Sequence, residues 1–180
     1  MKYRLSFIVA LLVFTICIGC KFGSSKSIVK AGHPAPDFNL KNLSGSFQSK
    51  DSFAKKYILL NFWATWCAPC VEELPALNEF YKKFKDSDIT VIGIAVDEDV
   101  EYVKEVVGNL NIEFPILIDD LGKIREAYKV RAFPETFLID KDGKIKLFKD
   151  MKSGLLEIKI KGPREWSSSA NIAYFKELLK

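Results

Sequence analysis

An apolar run, Tyr57–Ala64, is followed almost at once by Trp66-Cys67-Ala68-Pro69-Cys70, and a helical pattern starts at the second cysteine. The run is long enough for a buried strand and too short for a buried helix. From Cys70 to Phe84 the apolar residues Leu74, Leu77, Phe80, Tyr81 and Phe84 fall three and four apart, which is helical spacing. The two cysteines therefore sit where a strand hands over to a helix N-terminus. That terminus presents unpaired N–H groups and a partial positive charge. A thiolate placed there is stabilised. A free thiol of pKa ~8.5 is only about 3% ionised at pH 7, whereas one of pKa ~7 is about half ionised. The difference is worth roughly 2 kcal/mol. Cys70 lies one helical turn past Cys67, within reach of a mixed disulfide formed there. The pattern predicts Cys67 as the exposed nucleophile and Cys70 as the buried resolving thiol. Pro69 falls in the first turn, the one part of a helix that tolerates it.

Two bland readings compete with redox chemistry. A structural disulfide across so short a loop constrains almost nothing. A zinc site needs two further ligands, and the chain has one histidine and no second CxxC outside its N-terminal segment. No metal site is expected.

The rest of the chain alternates. Ile89–Val96 is β-branched and reads as a second buried strand, Val100–Leu110 as a helix with Val103, Val106, Val107 and Leu110 inward, and Phe114–Ile118 as a strand. Gly122–Lys129 reads as a short helix. Thr136–Asp140 and Ile145–Phe148 flank Lys141-Asp142-Gly143-Lys144, a hairpin signal. Leu155–Ile160 reads as an edge strand, with Asp150–Gly154 as a turn into it. A last helix is expected from a cap at Ser167–Ser169 through Leu179. Strands alternating with helices imply a mostly parallel sheet.

At 180 residues this is one domain with a short addition. A domain of about 150 residues buries roughly 70% of its unfolded surface, so it needs no disulfide staples. The addition is N-terminal. Lys2 and Arg4 precede Leu5–Cys20, a stretch without charge that ends Cys17-Ile18-Gly19-Cys20 before the polar Lys21–Ser27. This is a secretory signal in form and is short for a spanning helix, which takes roughly 20 residues. It resembles a bacterial lipoprotein signal, with residues 1–19 removed and Cys20 lipidated. An uncleaved anchor is the alternative. Cleavage would take Lys2 and Arg4 and lower the formal charge from +4 to +2. No basic run with interleaved aromatics points to nucleic acid. Residues 20–30 read as a linker and 31–180 as the domain.

Asn61-Phe62-Trp63-Ala64-Thr65-Trp66-Cys67-Ala68-Pro69-Cys70-Val71-Glu72-Glu73-Leu74-Pro75 resembles the active-site stretch of the membrane-attached thioredoxin-like proteins of the TlpA/ResA/CcmG group. Gly32–Phe38 is similar to that group's opening segment, and Phe133-Pro134-Glu135-Thr136-Phe137 to its cis-proline strand. The resemblance covers Ala31 to Lys180. It implies an α/β, thioredoxin-like fold: a central mixed sheet flanked by helices, with an N-terminal extension and a βα insertion. Pro134 matches the cis-proline beside the cysteines, so the Phe133 backbone is expected to pair with an extended substrate segment. Glu73 matches an acidic residue below the active site, expected to exchange a proton with Cys70. Glu72 is the candidate for an ordinary exposed carboxylate. Trp66 is expected to touch partners. Glu135 is expected either to tune charge at the substrate site or to face solvent. Trp63 is expected in the core, His33 in the opening loop, and Asp97 is a pocket candidate.

The resemblance implies a thiol–disulfide oxidoreductase acting on protein disulfides, in this group usually a reductase and including apocytochrome c among its substrates. No cofactor is expected beyond the Cys67–Cys70 disulfide. A membrane dithiol donor would re-reduce it. The domain is expected to be a monomer held at the membrane on the extracytoplasmic side. A thiol peroxidase of the same fold would place Thr where Ala64 stands. A copper-delivery module would carry CxxxC with a distant downstream histidine, whereas the single histidine here is upstream.

Overall fold

The structure is a computed structural model that describes residues 29–180. The expected signal, Cys17 and the lipidation candidate Cys20 lie outside the described residues. In chain order the elements are β1 (Asn39–Asn42), β2 (Phe47–Ser49), a 3-10 turn at Lys50–Phe53, β3 (Tyr57–Trp63) and α1 (Ala68–Phe84). Then come β4 (Ile89–Ala95), α2 (Val100–Asn109), β5 (Ile116–Ile118), α3 (Lys123–Ala127) and β6 (Glu135–Ile139). The chain ends with β7 (Ile145–Lys146), β8 (Phe148–Lys149), β9 (Leu156–Glu157), β10 (Ile160–Lys161) and α4 (Ser169–Leu178).

The main sheet runs β10-β6-β3-β4-β5-β1-β2, with β7 also paired to β6. Its centre is parallel: β3 pairs β4 from Tyr57↔Ile89 to Trp63↔Ala95, and β4 pairs β5. β6 joins β3 antiparallel, and β10 joins β6 antiparallel. This is the mixed sheet that the resemblance implies, but it is not mostly parallel as the strand–helix alternation suggests: only β3–β4 and β4–β5 are parallel, and the other pairings are antiparallel. The stretch α2–β5–α3 inserts an extra strand between the central βαβ unit and the β6 hairpin. The N-terminal hairpin β1–β2 then extends the sheet beyond β5.

Alternation along β3 sorts the core into two layers. Leu59 and Trp63 face a cluster with Cys70, Leu74, Leu77 and Phe80 of α1, Val103 of α2, and Trp166, Ile172 and Phe175. Ile58, Leu60 and Phe62 face the opposite side, with Ala35, Phe38, Tyr128, Phe137 and Ile145. Fully burying one such aliphatic or aromatic side chain is worth about 1.5–3 kcal/mol. Trp63 and Trp166, both inaccessible, are among the largest anchors. Pro75 sits inside α1, so that helix lacks one internal hydrogen bond, to the Val71 carbonyl. Ser168 caps α4 by accepting from the Asn171 N–H.

Two strand expectations are corrected, and two further strands were not anticipated. β1 and β2 have no sequence signal, because their polar residues are made strands by pairing to β5 and to each other. Ile145–Phe148 is not one strand: it breaks at Leu147, and β8 leaves the sheet to pair β9 in a separate two-stranded ribbon. Leu155–Ile160 is likewise two short strands, β9 in the ribbon and β10 on the sheet edge. They are separated by Ile158 and Lys159, where Lys159 turns toward Glu135. The Asp150–Gly154 turn forms as expected, closed by Asp150 N–H to Leu155 O at 2.9 Å and Gly154 N–H to Asp150 O at 2.7 Å. Among the described residues no helix is long and apolar enough to cross a membrane.

Candidate active site

β3 ends at Trp63, and the chain turns through Ala64–Trp66 into α1. The turn is held by Asp97, at the end of β4, whose buried carboxylate accepts from the Thr65 N–H at 3.0 Å and from the Thr65 hydroxyl. Cys67 is the N-cap of α1, and its carbonyl accepts from the N–H groups of Cys70 (2.9 Å) and Val71 (3.1 Å). No side chain caps this end, and the first turn carries no acidic residue. The partial positive charge of the helix is therefore left for the sulfur. Pro69 stands in the first turn. Cys67 and Cys70 form a disulfide, with Cα atoms 5.3 Å apart.

Cys67 retains 7% of its surface and Cys70 0%. The sequence predicts an exposed Cys67. In the oxidised state it is nearly covered, because the disulfide folds it onto Cys70 in the cluster beneath α1. Of the pair it is still the more accessible. Trp66 beside it is exposed, and its ring meets Phe133 edge-on at a centroid distance of 5.5 Å. The Phe133–Pro134 peptide is cis. Pro134 is buried, and its carbonyl accepts from the Gly162 N–H at 2.9 Å.

Glu73 lies one turn inward from Cys70 on the same helix face. It is buried, and three neutral donors meet its carboxyl. Asn61 Nδ2 of β3 donates to Oε1 at 2.8 Å. The main-chain N–H of Arg164 and the indole Nε1 of Trp166 both donate to Oε2, at 2.9 and 3.2 Å. Burial pushes the Glu73 carboxyl up to about 7, with these hydrogen bonds restraining the rise. A carboxyl of that pKa can give or take a proton at neutral pH. Asn61 Nδ2 also donates to the Thr136 hydroxyl on β6 at 3.0 Å, while Asn61 Oδ1 is buried without a partner. A half-turn of the amide would offer that acceptor to the protonated carboxyl. Glu72, next along, is exposed.

Glu135 is not solvent-facing. It is buried on the other face of the sheet, where Lys159 Nζ meets its carboxylate at 2.6 Å. Lys159 also donates to the Lys129 carbonyl at 3.1 Å. His33 is exposed in the opening loop, where its carbonyl accepts from the Ile145 N–H at 2.9 Å. The structure thus gathers Cys67, Cys70, Trp66, Phe133 and Pro134 at one end of α1, with Glu73 beneath them. Sequence reasoning gave no role to Asn61, Thr136, Arg164, Trp166 or Lys159. Asn61 was within reach of it, as a polar residue in the middle of an otherwise apolar strand.

A thioredoxin-like sheet with a redox-capable cysteine pair at a helix N-terminus defines the class: the protein is a thiol–disulfide oxidoreductase. It belongs to the AhpC/TSA family, whose family model matches residues 31–148. Thiol-disulfide oxidoreductase ResA of Bacillus cereus is 37% identical over 149 residues, covering 80% of this chain and 86% of that protein. ResA of Geobacillus kaustophilus is 37% identical over 140 residues, covering 76% and 80%. Among solved structures, the thioredoxin domain of a thiol-disulfide oxidoreductase from Bacteroides vulgatus superposes with a TM-score of 0.67 at 25% identity, covering 84% of this chain and 99% of that one.

Proposed function

We propose that the protein is a reductase of protein disulfides in the bacterial cell envelope, with apocytochrome c among its substrates. The observation that carries the reading is the Cys67–Cys70 disulfide at the uncapped N-terminus of α1, with the Glu73 carboxyl one turn inward. In the reduced protein the Cys67 thiolate attacks one sulfur of a substrate disulfide and expels the other as a thiolate, leaving a mixed disulfide. Glu73 takes the proton of Cys70. The Cys70 thiolate then attacks Cys67 Sγ and releases the second substrate sulfur. Two electrons pass to the substrate, whose two sulfurs leave as thiolates and take up protons, one from Glu73 and one from solvent, and the Cys67–Cys70 disulfide remains. A membrane dithiol donor restores the dithiol, so the cysteine pair is the only redox group the cycle requires.

Exposed Trp66 and half-buried Phe133 form the aromatic contact for the substrate. The Phe133 backbone, just ahead of β6, pairs with an extended substrate segment beside Pro134. Glu135 sets the local charge from behind that strand through Lys159. The domain works as a monomer on the extracytoplasmic side. Residues 1–20 hold it at the membrane, through a lipid on Cys20 or as an uncleaved anchor. The test is the reduction potential of the pair, measured by equilibration with a glutathione buffer. A value near ~−270 mV supports the reductase reading, and one near ~−120 mV, that of a strong oxidant, defeats it.

A further inference from the structure

Two of the three donors to Glu73 come from far along the chain, in the loop Gly162–Trp166 between β10 and α4. That loop has no ladder of its own. Gly162 takes a left-handed backbone (φ +77°), a conformation open to glycine, and anchors the loop's start on the Pro134 carbonyl. Trp166 is buried with its ring 6.5 Å from that of Phe80, and Asn171 Nδ2 donates to the Glu165 carbonyl at 2.7 Å. Between these anchors one side chain does most to close the loop, with Lys152 Nζ of the β8–β9 turn also 3.5 Å from the Pro163 carbonyl. The Arg164 guanidinium folds back over its own loop, with Nη1 3.3 Å from the Gly162 carbonyl and 2.9 Å from the Pro163 carbonyl. Its Nη2 meets Asp150 Oδ2 at 2.7 Å. Both side chains of this pair are largely buried, so water screens it little. Asp150 is itself fixed at the head of the β8–β9 turn, where its Oδ1 accepts from the Lys152 N–H at 2.8 Å.

We propose that the Asp150–Arg164 ion pair is a positioning device for Glu73. It holds the Gly162–Trp166 loop where both the Arg164 N–H and the Trp166 indole reach Oε2, and so sets the pH at which Glu73 exchanges its proton with Cys70. The ribbon β8–β9 thereby acquires a part in the redox reaction without touching the cysteines. The proposal rests on the reading of Glu73 as proton carrier.

The groups facing Glu73 are Cys70 on its own helix, Asn61 of β3 with Thr136 of β6 behind it, and Arg164 and Trp166 of the loop. The charges nearest are Arg164 and, through it, Asp150. The sign of the effect is therefore diagnostic. Loosening the loop removes donors from the carboxylate and moves the titration up. Removing the Asp150 charge alone, with the loop unmoved, would move it down.

The test uses the reduced full chain and 5,5′-dithiobis(2-nitrobenzoate), which releases one thiolate when Cys67 attacks and a second when Cys70 resolves. The rate of the second release is followed across pH in the parent, E73Q, D150N, R164M and R164K. In the parent the rate rises along a limb that E73Q abolishes. D150N and R164M move that limb up by about half a unit, slowing the second release about threefold on its acid side. R164K, which keeps a cation opposite Asp150, stays closer to the parent. A limb abolished by E73Q but unmoved or lowered in D150N overturns the positioning role alone, whatever R164M does, since losing the Arg164 charge by itself raises the titration. Should D150N fail to fold, R164K decides, because it keeps the charge and loses the guanidinium fork onto the Gly162 and Pro163 carbonyls: a small upward move of its limb supports the positioning role, and a limb at the parent's position overturns it. A limb that survives E73Q overturns the role of Glu73 itself, and the positioning role with it.

Discussion

Glu73 and Glu135 are both buried, and they lie on opposite faces of the same sheet, yet they are held in different ways. Glu135 meets an ammonium group, Lys159 Nζ, at 2.6 Å. Glu73 meets only neutral donors: an amide, a main-chain N–H and an indole N–H. A cation opposite a buried carboxylate offsets much of the cost of burying its charge. Neutral donors compensate it in part, so the proton affinity of Glu73 rises to about 7. One carboxylate is thereby structural and the other is poised to titrate. Only the titrating one shares a helix face with a cysteine.

The largest expected effect comes from breaking the structural member. Glu135→Gln leaves the Lys159 ammonium without its partner and should destabilise the fold by about 3 kcal/mol, measured by urea unfolding. Adding Lys159→Met should recover most of the loss, since an apolar pair of similar size replaces a buried ion pair at little cost. The same substitution at the other carboxylate should act in the opposite direction. Glu73 has a native pKa near 7, above the ordinary 4.5 of the unfolded chain. The native state therefore binds its proton more tightly. Its stability is full below 4.5 and falls as the pH rises toward 7, by roughly 3 kcal/mol in all. Glu73→Gln should remove that slope, raising stability at pH 8 by about 3 kcal/mol and leaving pH 4 nearly unchanged.

Smaller effects sharpen the contrast. Asn61→Ala removes one donor from Glu73 and one from Thr136. It should cost about 1 kcal/mol and move the Glu73 titration further up, visible in a carboxyl NMR titration. Trp66→Ala removes an exposed ring that touches neither carboxylate. It should leave the melting temperature and the Glu73 titration in place while raising KM for a protein disulfide.

The redox end of α1 was readable because its signals are local. A short apolar strand, a cysteine pair, a proline at the second position and helical spacing fall in one continuous stretch. Pro134 and Glu73 were legible only through resemblance, since nothing in their own neighbourhoods marks them. What escaped the sequence is held by long-range pairing. β1 and β2 are largely polar segments that become strands only by pairing, β1 against β5 and β2 against β1. Glu135 reads as a surface residue until Lys159 is brought beside it. The donors from Arg164 and Trp166 come some ninety positions from the carboxyl they serve. The hidden β8–β9 ribbon has the same origin: Leu147 and Leu155 are exposed, so apolar spacing there reports no buried face.

Division of labour between Cys67 and Cys70 is the centre of the account, and trapping measures it most directly. Full-length protein with Cys70→Ala, reduced and mixed with a disulfide-containing protein, should accumulate a covalent adduct through Cys67 that dithiothreitol releases. The Cys67→Ala protein should form none. An adduct that forms as readily with Cys67→Ala as with Cys70→Ala, or with neither, would contradict the account.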